Sequence, residues 1–151
     1  TYPVFDETDN LARPNIIFLQ LESFFDPQQI KGLKFNEDPL PNWHALQEEY
    51  TTGFLTVPVV GAGTANTETE VLTGMSTRFF GPGEYPYKTV LTENTAESVA
   101  YILKGLGYGT HAVHNHRGVF YGRNKVYKNL GFDTFTSLEY VQHIHDSQEL
   151  V

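Results

Sequence analysis

The chain has 151 residues, of which 40% are hydrophobic and 14% aromatic, enough for one folded domain with a core and too apolar for wholesale disorder. Eighteen acidic residues against ten basic ones give a formal charge of −8, which excludes nonspecific attraction to nucleic acid or to anionic lipid headgroups. There is no cysteine, so disulfides and thiolate metal sites are excluded as well.

Residues 1–14 read as an irregular leading segment. Residues 15–23 form a mostly apolar run that turns polar at Glu22 and Ser23, the pattern of a buried parallel strand with function at its tip. Residues 41–50 carry an amphipathic pattern with Pro41 at the first turn, and residues 53–60 are rich in β-formers. Gly61, Ala62 and Gly63 then open a helix that begins at Thr64 and stops at Gly74. Residues 97–108 show helical spacing, residues 109–114 suit a strand, and residues 122–130 suit a helix stopped by Gly131. This alternation predicts an α/β fold, a mostly parallel sheet with helices on both faces, here as an incomplete domain. The longest apolar run, residues 16–19, is too short to cross a bilayer, so the segment is expected to be soluble.

Three clusters carry chemistry. Glu22 follows an apolar strand, where open α/β sheets build their sites, and its carboxylate suits Mg²⁺, Mn²⁺ or Zn²⁺; a solvated strand-end acid is the competing reading. Thr64 follows flexible glycines at a helix start, a place that favours anions, and its hydroxyl would attack phosphorus if a cation or base activated it. The competing reading makes Thr64 a plain helix cap. A P-loop is excluded, because no Lys-Ser or Lys-Thr pair follows the glycines. In the third cluster, His114 and His116 would share a face of an extended strand, and Arg123 would grip a phosphate or serve as a surface charge. His143 and His145 have metal-like spacing, but two residues alone read as ordinary surface histidines.

Taken in order, these segments resemble the lipoteichoic acid synthase family of phosphoglycerol transferases, within the sulfatase and alkaline phosphatase superfamily. Residues 14–24 resemble its opening strand with a metal-binding Glu, and Gly63-Thr64-Ala65-Asn66-Thr67-Glu68 its nucleophile segment. Leu72-Thr73-Gly74 is similar to a tripeptide that follows the nucleophile in sulfatases, and Val113-His114 with residues 120–133 look like its substrate-recognition stretch. The resemblance implies Thr64 as nucleophile, Glu22 and Thr64 as ligands of one divalent metal ion (Mn²⁺ or Mg²⁺ ahead of Zn²⁺), and His114, Tyr121 and Arg123 as binders of glycerol phosphate. Tyr121 stands where the family commonly has Trp, and the run before Thr64 lacks the family's usual Lys. The family's Asp-His ligand pair has no counterpart here, so the resemblance implies that residues 15–151 are the N-terminal portion of a sulfatase-like catalytic domain.

The implied reaction moves phosphoglycerol from a phosphatidylglycerol-type lipid to a glycan or polyglycerolphosphate acceptor through a phospho-Thr intermediate. The parent would sit in the cell membrane with its catalytic domain outside, meeting the membrane surface through its other segments, and the fragment alone would be inactive. A phosphoethanolamine transferase, a metal-dependent hydrolase centred on Glu22, His114 and His116, and a non-enzymatic polyanion-binding module are the alternatives. Sulfate esters are disfavoured, since there is neither Cys nor the sulfatases' Pro- and Arg-containing motif around the nucleophile.

Overall fold

A computed structural model describes residues 13–21, 24–60 and 63–141. The chain divides into two compact units, Thr1–Thr52 and Gly53–Val151.

In the first unit, residues 13–21 have no regular secondary structure, so the strand expected over residues 15–23 does not form across its described part. Its apolar side chains are exposed, Ile17 at 86% and Leu19 at 75%. The pattern was that of a strand, but a strand is stabilised only by a neighbour that takes up its N–H and C=O groups. Helix α1, Pro41–Glu49, forms where its pattern and Pro41 predict it, because its hydrogen bonds are internal. Trp43 on α1 meets Phe24 edge to face at 5.0 Å between ring centroids. His44 on the same helix bridges two acids, with Nδ1 2.7 Å from Asp38 Oδ1 and Nε2 3.3 Å from Asp26 Oδ2.

The second unit holds the rest of the regular structure. Residues 53–60, expected to be β-rich, also lack a ladder, with Phe54 at 96% exposure. Helix α2 is Thr64–Thr73, started by Gly63 at φ 103° and ended by Gly74 at φ 71°. Gly63 is required by its surroundings as well as its backbone, since a Cβ there would lie 3.1 Å from Tyr85 Oη and 3.1 Å from Val59 Cγ1. After α2 come α3, Val90–Glu93, and α4, Val99–Gly105. Ser98 caps α4 by accepting from the N–H groups of Ala100 and Tyr101, and its own hydroxyl donates to Leu130 O at 2.5 Å.

A β-α-β unit completes the fold: β1, His111–Val113, then α5, Arg123–Asn129, then β2, Thr134–Thr136. The two strands pair in parallel, His111 opposite Thr134 and Val113 opposite Thr136. The fold class is therefore α/β with a parallel sheet, as expected, although β2 was not foreseen. β1 stops at Val113 instead of running on through His116: His114 N still donates to Thr136 O, and past it the two segments are joined by Leu138 N donating to His116 O without a continuing strand pairing. The core of this unit is Ala65 of α2, Tyr87, Leu91 of α3, Ala112 of β1, and Val126, Tyr127 and Leu130 in and after α5. Burying α2 against α5 through these residues sets the site. No helix among the described residues is long and apolar enough to cross a membrane.

Candidate active site

Thr64 is the first residue of α2, and Gly63, not Thr64, occupies the capping position. The hydroxyl is thus not consumed in capping its helix. It accepts a hydrogen bond from Arg123 Nη2 at 3.4 Å, across 59 residues of sequence. One turn further along α2, Glu68 faces the same way, as i and i+4 residues of a helix must. Its carboxylate takes the Arg123 fork: Nε donates to Oε2 at 3.1 Å and Nη2 donates to Oε1. Arg123 and Tyr127 are likewise one turn apart on α5, and the Tyr127 hydroxyl donates to Glu68 Oε2 at 3.0 Å. Two helices therefore face each other through a nucleophile candidate, an acid, a guanidinium and a phenol.

Arg123 is fully buried, which removes the surface-charge reading. Burial works against its charge, but the hydrogen bonds and negative charge of Glu68 outweigh that cost and hold its pKa above the ordinary arginine value. Its guanidinium also lies 5.4 Å from the Tyr121 ring, 5.8 Å from Phe120 and 5.9 Å from Tyr87. The bidentate grip expected on a phosphate is taken up by Glu68, and the bond to Thr64 is what the fork directs toward the helix start. Burial raises the Tyr127 phenol well above its usual range, so it acts as a proton donor to Glu68 throughout the physiological range.

His114 stands immediately after β1, at the carboxyl edge of the strand, where α/β sheets place their sites. Burial first, and the nearby Arg123 charge second, lower its pKa, so the imidazole is neutral near pH 7. Its Nδ1 accepts from His116 N at 3.1 Å, which assigns the remaining proton to Nε2 as a donor. His116 faces elsewhere: its ring stacks on Phe120 at 4.1 Å, and its Nδ1 accepts from Arg117 N. Tyr121 adopts φ 57°, ψ 17°, a left-handed backbone that a bulky side chain rarely takes. Its ring packs beside Tyr85 at 5.6 Å and Phe120 at 4.7 Å.

Glu22, His143 and His145 lie outside the described residues. Among the described residues there is no group of three or more His, Cys, Asp or Glu side chains that could hold a metal ion. Thr64 Oγ is a suitable hard oxygen, yet its described neighbour is a guanidinium, so the described side chains alone do not fit a metal centre. Glu68 and Tyr127 are members of the site that sequence reasoning passed over as functional residues. The signal for both was their i+4 spacing from Thr64 and from Arg123.

With this geometry in place, the comparisons fall on the same stretch: the sulfatase family profile matches residues 14–150, the whole of the site included. The chain belongs to the sulfatase family. A relative in Rhizobium meliloti (strain 1021), a putative cyclic beta-1,2-glucan modification protein, is 39% identical over 132 residues, covering 87% of this chain and 20% of its own length. This sulfatase-family chain thus spans about one fifth of the curated relative it matches. The crystal structure of the lipoteichoic acid synthase LtaP from Listeria monocytogenes is similar over 56% of this chain and 20% of its own, at 23% identity and a TM-score of 0.49.

Proposed function

We propose that this chain is the nucleophile-bearing part of a phosphoglycerol transferase that uses Thr64 to carry phosphoglycerol from a phosphatidylglycerol-type lipid to a glycan or polyglycerolphosphate acceptor. The observation that supports it best is the Thr64 hydroxyl, free of capping duty at a helix start and hydrogen-bonded to a buried guanidinium. The similarity to the Rhizobium putative glucan modification protein favours a glycan among the two acceptor classes.

In the first step, Thr64 Oγ forms a bond to phosphorus as the bond from phosphorus to the diacylglycerol oxygen breaks, and diacylglycerol leaves carrying the proton. In the second, an acceptor hydroxyl attacks the same phosphorus, the Thr64 Oγ to phosphorus bond breaks, and the proton returns to Thr64. Arg123 holds the nucleophilic oxygen in place through its hydrogen bond to the Thr64 hydroxyl. Neutral His114 donates from Nε2, and Tyr121 forms an aromatic wall beside the glycerol. A divalent cation, Mn²⁺ or Mg²⁺, with Glu22 and Thr64 among its ligands, belongs to the proposal through the family resemblance; it would supply Lewis-acid activation of the hydroxyl.

The test is a covalent adduct. Full-length protein incubated with phosphatidylglycerol is expected to yield a Thr64 peptide bearing phosphoglycerol by mass spectrometry. Thr64→Ala is expected to abolish both the adduct and diacylglycerol release, while stability changes by less than about 1 kcal/mol, because alanine's better helix propensity offsets one lost hydrogen bond. Undiminished release by a folded Thr64→Ala protein would refute the assignment, and a phosphoethanolamine adduct formed instead on incubation with phosphatidylethanolamine would transfer it to that donor.

A further inference from the structure

Arg123 is the cation beside Thr64, but its charge is already answered. Its fork lies on the Glu68 carboxylate, so the pair presents little net charge to a phosphodiester anion. His114 is neutral near pH 7, and the residues preceding Thr64 are Gly61, Ala62 and Gly63, with no Lys among them. Beyond the divalent cation of the transferase reading, an anionic donor therefore calls for a further protein cation nearby, in a chain whose formal charge is −8.

Lys88 is placed to be that cation. Its Nζ lies 5.0 Å from the centroid of the Tyr85 ring and 4.8 Å from that of Tyr121. The Tyr121 ring is the one that also flanks Arg123, at 5.4 Å from Cζ. On its other side the Tyr85 hydroxyl packs against Gly63, the residue before the nucleophile, closely enough to forbid a side chain there. Tyr85 and Tyr121 thus link Lys88 both to the start of α2 and to Arg123. Lys88 is exposed and makes no ion pair among the described residues. The nearby acid, Glu84, is already engaged by Thr89 Oγ1 at 2.7 Å and Gly81 N at 3.0 Å.

We propose that Lys88, held on the Tyr85 and Tyr121 rings, recognises the anionic phosphate group of the donor and positions it for attack by Thr64. The inference rests on the transferase reading above. A lysine is a mobile point charge with three donors, so it can follow a phosphate that arrives on a lipid, while the ring faces limit where it swings.

The test compares Lys88→Gln and Lys88→Arg in the full-length protein, with two probes. Phosphatidylglycerol in neutral phosphatidylcholine vesicles reads turnover, and free glycerol phosphate in calorimetry reads binding without a membrane. Lys88→Gln is expected to raise KM for the lipid and weaken glycerol phosphate binding, each by about tenfold, with kcat changed by no more than about twofold. Its salt dependence should be shallower than that of the parent protein, and Lys88→Arg should restore binding to within about threefold. Unchanged KM and affinity in a protein that turns over normally would overturn the role of Lys88 and leave the transferase reading intact. An effect on vesicles with none on free glycerol phosphate would overturn it too, making Lys88 a membrane-surface contact. Weakened glycerol phosphate binding in a protein that never forms the Thr64 adduct would uphold phosphate recognition by Lys88 but overturn both its positioning role for Thr64 and the transferase reading.

Discussion

Arg123 and Glu68 illustrate how a buried charge is tolerated only in company. Glu68 is 8% exposed and Arg123 fully buried, and Glu68 is bound by Arg123 and Tyr127 together. Glu68→Gln would leave the guanidinium without its counter-charge in a dry site, and is expected to cost about 3–5 kcal/mol, read as a fall in urea midpoint with unchanged slope. Tyr127→Phe removes one hydrogen bond and is expected to cost about 1–2 kcal/mol. Replacing Glu68 and Arg123 together by Leu and Met should recover most of the stability and none of the activity. Full recovery of both would reduce the pair to scaffolding. At this scale the sequence was partly legible: Thr64 and Arg123 stood out by motif, but Glu68 was read only as part of a pattern. Tyr127 offered only its one-turn spacing from Arg123, and Lys88 gave no sign, since a lysine in a turn looks like solvation until the fold sets it on the Tyr85 and Tyr121 rings.

The helices were largely legible because their hydrogen bonds and stop signals are local. Pro41, Gly63, Gly74 and Ser98 each mark a boundary that α1, α2 or α4 observes within a residue or two. The strands over residues 15–23 and 53–60 were misread because a strand's partners lie far away in sequence, and periodicity cannot supply them. α1 also carries a pH-sensitive clasp that its sequence did not announce. Hydrogen bonding to Asp38 first, and with lesser weight the bond to Asp26 and the two carboxylate charges, raises the His44 pKa against the opposing effect of burial. A histidine raised on folding stabilises fully below its ordinary value of 6.5, and the contribution is lost as pH rises through the folded-state value. Amide exchange in α1 is therefore expected to accelerate as pH climbs above that range, beyond its intrinsic rise. His44→Gln should erase this extra dependence, and a His44 ring titrating at or below 6.5 by NMR would disprove the clasp.

The two units differ in how much of their chemistry is built from distant parts of the chain. The first is tied by contacts within residues 24–50, whereas the second joins α2 to α5 through bonds between residues 55 and 59 positions apart. That separation has a kinetic side. α2 has ten residues and α5 seven, too few to persist as isolated helices in water. Were α2 to collapse onto the core before α5 arrived, Glu68 would lose its water with no guanidinium to replace it, and the reverse order would strand Arg123. Partly assembled forms with either helix docked alone are thus selected against, and the two helices are expected to gain protection together. Native-state hydrogen exchange should show α2 and α5 opening in one step with a common free energy, and separate opening would show that each can dock without the other. The same pair of side chains that frames the Thr64 hydroxyl thereby couples the docking of α2 to that of α5, so the candidate centre is expected not to form by halves.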